Sequence, residues 1–215
     1  GVDRPSREIK KRKNEPRGVS VKPGTYRLEL NYLDHTTSSA IQIKSDPRVE
    51  VSENTINDIY QRGKELEELT KTTANAVKQL AESKVIAEKY KTDLAEKNKA
   101  LYLEEIKASN IIIKRIDSII DKFIGKEDKR QGITNSPYVT IDSRISTAIW
   151  YSSSRPYGIT ETEIILIQQV KDKLEVVLKE TNLFFEKDWE NYKMEMNQIN
   201  LSPFKNTQPY FIKEN

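Results

Sequence analysis

From Tyr26 onward polar and apolar residues alternate. Tyr26, Leu28, Leu30 and Tyr32 fall on one side of an extended chain, and Arg27, Glu29 and Asn31 on the other. A second run, around Ser39 to Lys44, places Ile41 and Ile43 on one face. The polar link Asp34-His35-Thr36-Thr37 joins the two as a hairpin, and Pro23-Gly24 marks a tight turn before it. Two strands are marginal alone in water, so the hairpin needs a partner surface. That surface is either the helices of this chain or strands from outside it.

Beyond Asp46-Pro47-Arg48 the period changes to that of a helix. Ser52 is placed to cap a long helix. The seam of that helix is Ile59, Gly63, Leu66, Thr70, Thr73, Val77, Leu80, Lys84 and Ala87, spaced by threes and fours. The polar run 88–93 predicts a bend. A second helix follows over Leu94–Ile124, with Leu94, Leu101, Ala108, Ile112, Ile116, Ile119 and Phe123 on its seam and Gly125 as its stop. Its second half, from Ile111 to Ile120, is the most apolar helix surface in the chain.

A shorter helix is predicted over Val139–Tyr151, aligning Ile141, Ile145 and Ile149. Thr160 and Glu163 have the spacing of a capping box for a last helix reaching about Asn200. Its stripe reads Ile164, Ile167, Leu174, Val177, Leu178, Phe185, Trp189, Tyr192, Met196 and Ile199. The chain thus divides into a basic extended arm (1–18), a β hairpin (19–47), a helical bundle (48–202) and an irregular tail (203–215). In that tail Phe204, Tyr210 and Phe211 are expected to pack back onto the bundle. The fold class is mainly α: a long-helix antiparallel bundle preceded by a small hairpin.

Composition agrees with the pattern. Hydrophobic residues make up 36% and charged ones 32%, which suits helices with a narrow apolar stripe. Seven glycines and eight prolines are too few for an all-β fold. The net charge of +3 is uneven. Residues 1–22 hold eight basic and three acidic side chains, so the rest of the chain sums to −2. The basic run Arg7, Lys10, Lys11, Arg12 and Lys13 carries no interleaved aromatic residue. It reads as a domain-wrapping arm rather than a specific nucleic-acid site. With no cysteine, disulfides and thiol chemistry drop out. No stretch approaches the length of a membrane span.

Catalytic signals are missing. The one histidine, His35, falls in the predicted turn. Carboxylates lie beside lysines along helix faces, as Glu88 with Lys91 and Glu175 with Lys179. Glycine-rich phosphate loops, nucleophile elbows and paired-histidine metal motifs do not occur. Ser152 to Ser154 form a loop run with no base nearby. No cofactor, metal or catalytic residue is assigned. Trp150, Tyr151 and Tyr157 flank the Ser152–Gly158 loop and form, with the basic arm, the candidate interaction surface.

The run from Gly18 to Leu30, with its Pro23-Gly24-Thr25-Tyr26 turn and strand, resembles a segment of bacterial sortilin-like β-propeller proteins. Those proteins are often labelled BNR-repeat or glycosyl hydrolase. Asp3-Arg4-Pro5-Ser6-Arg7, Asp46-Pro47-Arg48, Gly132-Ile133-Thr134, Gly158 to Glu163, and Asn182 to Phe185 with Trp189 extend the likeness over nearly the whole chain. The resemblance implies that the hairpin ends an Ig-like domain and that the bundle is the C-terminal region of a larger exported bacterial protein, periplasmic or at the cell surface. Any hydrolytic activity would belong to an upstream propeller. The resulting expectation is a non-catalytic accessory module for interaction or scaffolding. Its partners would be that propeller and another protein at the hairpin edge. The alternative is a substrate-binding fragment of a carbohydrate-active enzyme, with Trp150 and Trp189 as its only sugar platforms.

Overall fold

A computed structural model describes residues 1–9, 16–126, 139–154 and 157–199. Lys10, Lys11, Arg12 and Lys13 of the arm, the Gly132-Ile133-Thr134 loop and the tail 203–215 lie outside the described residues. The fold is the mainly helical bundle that the pattern predicts, preceded by a two-stranded antiparallel hairpin.

The hairpin pairs β1 (Gly24–Tyr32) with β2 (His35–Ile43), in a register that opposes Tyr26 to Ile41 and Tyr32 to His35. Its turn is tighter than the four-residue link expected. Only Leu33 and Asp34 remain outside the strands, and Leu33 takes a left-handed φ of 51°. His35 to Thr37 therefore belong to β2.

The first helix, α1, runs unbroken over Glu53–Asn98. The Ser52 hydroxyl accepts the Thr55 N–H and caps it, as predicted. The buried line Leu66, Thr70, Thr73, Val77, Leu80 and Ala87 follows the expected seam. The bend expected at 88–93 does not occur. That polar run stays helical, mostly in water with Tyr90 turned towards the core, and the core residue Leu94 lies on α1 rather than on the next helix. The chain turns at 99–102, and α2 spans Leu103–Ile124. Leu101 is accordingly exposed, not a seam residue. Gly125 ends α2 at φ 81°, its N–H donating to the Asp121 carbonyl.

Helix α3 covers Ile141–Ser153, so Ser152 and Ser153 form its last turn rather than a loop. Helix α4, Glu161–Leu183, starts where Thr160 donates both its N–H and its hydroxyl to Glu163 Oε2. It continues through a π-helical stretch, Phe184–Trp189, into α5, Glu190–Asn197. The π stretch holds one residue more than an α-helix would. Above it the buried line is Val170, Leu174, Val177, Thr181 and Phe184; below it, Trp189, Tyr192 and Met196. Phe185 and Leu178 on the predicted stripe are only half-buried, and Ile164 is exposed.

Contacts between helices fix their arrangement. Lys84 of α1 binds Asp117 of α2, with Nζ 2.8 Å from Oδ1, so these two run antiparallel. Lys171 of α4 pairs with Glu65, and Tyr192 of α5 meets Tyr90 edge-on at 6.5 Å. The last helix is thus parallel to α1. Lys122 and Arg115 of α2 both reach Glu180. Two long columns, α1 and α4–α5, therefore flank a third shared between α2 and α3. Ile116, Ile119, Ile120, Phe123 and Ile145 fill the space between them.

One of these ion pairs makes stability depend on pH. Burial pushes the Glu65 carboxyl up, but hydrogen bonds and charge from Lys171 and Arg62 outweigh it and hold it below the ordinary value. A carboxyl depressed in the folded state stabilises above its unfolded pKa, and that contribution fades as pH falls through the folded value. Wild type should lose stability on acidification more steeply than Glu65→Gln. Urea melts between about pH 3 and 6 would check this, since unfolded glutamate titrates near 4.3; parallel curves would contradict it.

Candidate interaction surface

The arm is tied to the bundle by two arginines. Arg4 donates through Nε to Asp142 Oδ1 at 2.9 Å and through Nη2 to Ser146 Oγ, both on α3. Arg7 donates to Asp121 Oδ1 and to the Gly125 carbonyl, at the C-terminal end of α2. That carbonyl end attracts cations, and Arg7 satisfies it directly. Arg7 is therefore engaged within the chain, joining the arm to α2 while Arg4 joins it to α3. Of the basic run singled out in the sequence, it is the only member among the described residues.

Just past the arm, Val19 lies against α1 at Gly63. A Cβ on Gly63 would come within 2.8 Å of Val19 Cγ1. Only glycine lets the strand-like segment pass so close. Lys22 donates to Asn57 Oδ1 at 2.7 Å and sits 5.2 Å from the centre of the Tyr60 ring. These contacts seat the base of the hairpin on the first turns of α1.

The hairpin itself is largely in water. Its register puts Tyr26, Leu28, Leu30 and Tyr32 on the same face as Ile41, and the opposite face is polar. Leu28 is 56% exposed, Leu30 66% and Leu33 83%. The sheet has only two strands, so each strand has one outer edge unpaired within it. Such edges are templates for another strand.

Trp150 and Tyr151, consecutive on α3, meet edge-on at 4.9 Å, and Trp150 is exposed. Tyr157 is exposed too, but its ring packs on neither. The three thus stand near one another in sequence without forming one aromatic wall. Trp189, the other sugar-platform candidate, is buried against Phe184 and Tyr192. It offers no face to a ligand. The Tyr192 hydroxyl meets Ser109 Oγ at 2.9 Å in the core, and burial raises its pKa.

Among the described residues no group of three or more His, Asp or Glu side chains could hold a metal ion. No helix there is long and apolar enough to cross a membrane. Neither a known protein family, nor a curated protein, nor a solved structure matches this chain.

Proposed function

We propose that the chain is a non-catalytic accessory module for interaction or scaffolding, in which a rigid helical bundle presents a β hairpin to a further strand. The observation that carries this reading is the exposed apolar face of the hairpin, flanked by two outer strand edges. Backbone hydrogen bonds along an open edge give affinity, and alternate side chains on the apolar face give selectivity. Leu33 supports it as well. A leucine held at positive φ and left in water gains nothing for the isolated hairpin and suits a covered tip.

The resemblance to sortilin-like β-propeller proteins favours completing strands from the same exported polypeptide, within an Ig-like domain. Hydrogen exchange tests the proposal. Amides of 24–43 should exchange fast in the isolated chain compared with those of α1 and α2. They should slow in the longest natural polypeptide that contains the chain. Strong, uniform protection of the hairpin in the isolated chain would mean that it is already complete, and the strand-acceptor reading would fall.

A further inference from the structure

Between the arm and the bundle lies a cavity of about 590 Å³, a size suited to a small organic ligand. Its walls are Val19 and Val21 from the segment that leads from the arm into the hairpin, Ile56, Ile59 and Leu66 from α1, and Ile149 from α3. The arm crosses above, held down where Val19 meets Gly63. This groove is separate from the hairpin's apolar face and owes nothing to the strand-acceptor reading.

Two observations give the groove a chemical preference. The first is Ser152, which lines it. Ser152 is 8% exposed, and its hydroxyl has no hydrogen-bond partner. Other buried hydroxyls inside the helices behave differently. Thr70, Thr73, Ser83, Ser109 and Thr181 each donate to the carbonyl four residues back. Ser152 forgoes that bond to Ala148, and a buried hydroxyl without a partner is costly.

The second observation is the charge at the rim. Arg17 has no ion-pair partner among the described residues, and Lys22 is held only by the neutral groups of Asn57 and Tyr60. The other rim charges are already matched: Arg4 by Asp142, and Glu67 by Lys64. Among the described residues, therefore, these two cations remain uncompensated beside an apolar trough that holds a buried donor.

We propose that the groove between the arm and helices α1 and α3 binds an aliphatic carboxylate, its hydrocarbon body along Ile59, Leu66 and Ile149 and its head group between Arg17, Lys22 and the Ser152 hydroxyl. Decanoate, decan-1-ol and decylammonium separate head group from tail. Each is titrated calorimetrically and in competition with 8-anilinonaphthalene-1-sulfonate, an apolar anion of similar character. Decanoate should bind one to one and about tenfold tighter than the alcohol, the scale of one charge-assisted hydrogen bond. Decylammonium should bind more weakly than either. Arg17→Ala should bring decanoate down to the alcohol's affinity, and Ser152→Ala should weaken it several-fold. Ile59→Trp, which fills the trough, should abolish binding while near-ultraviolet circular dichroism keeps its native form. Absence of saturable binding, equal affinity for the ammonium, or indifference to both Arg17→Ala and Ile59→Trp would overturn the assignment.

Discussion

Ile116→Ala is expected to lower the free energy of unfolding by about 2–5 kcal/mol, the range for deleting a fully buried aliphatic side chain. Ile116 is fully buried, on α2 where that helix packs on α1 and the last helix. The rigid columns around it leave the cavity little room to close. Thr73 on α1 is equally buried, yet its loss should be far milder. Its hydroxyl donates to the Leu69 carbonyl, whose hydrogen bond within the helix survives the change, and one methyl group is small. Denaturant melts of the two variants check the contrast; equal losses would show that the threonine seam carries as much of the packing as the isoleucines.

Phe184→Ala should cost about 3–5 kcal/mol and Phe185→Ala much less, because the π stretch decides which ring enters the core. With α-helical spacing throughout, Phe185 would share a stripe with Trp189, Tyr192 and Met196. The extra residue instead places Phe184 in the core, packed at 6.4 Å from Trp189, and leaves Phe185 half-buried. Melts of both variants read the register directly. A larger loss at Phe185 would mean that the helix is α-helical in solution through 184–189.

The features that sequence made legible are those written in local chemistry. Ser52, Gly125 and the Thr160–Glu163 pair set helix ends by their own hydrogen bonds and dihedral angles, and each sits where its residue type demands. The turn at 99–102 was not legible, since no glycine or proline marks it, whereas the polar run at 88–93 imitates a break while continuing a long helix that turns only Tyr90 towards the core. The π stretch was hidden for a different reason. Where a single extra residue is absorbed depends on how Phe184 and Trp189 fit against the rest of the bundle, not on the residues between them.

The interaction surface was read only in part. The apolar alternation from Tyr26 to Tyr32 announced a face needing cover, and the structure leaves that face in water. Arg7 showed as one charge among several, and its engagement with the end of α2 depends on a contact 114 residues away. The groove depends on Gly63, which looked like a gap in a seam, and on Ser152, which looked like a loop residue. Neither signal has meaning until the arm is laid across α1.

The division of one column between α2 and α3 has a mechanical consequence. Alone, a helix pair of α1 with α2 would be one unit and a pair of α3 with α4 another, free to melt in turn. Here α1 runs beside both α2 and α3, and the last helix touches Glu65 at one end of α1 and Tyr90 towards the other. The two unbroken helices act as splints across the break. A strain applied at the hairpin, seated on the first turns of α1 through Lys22, is therefore shared along the length of the bundle rather than spent on its nearest turn.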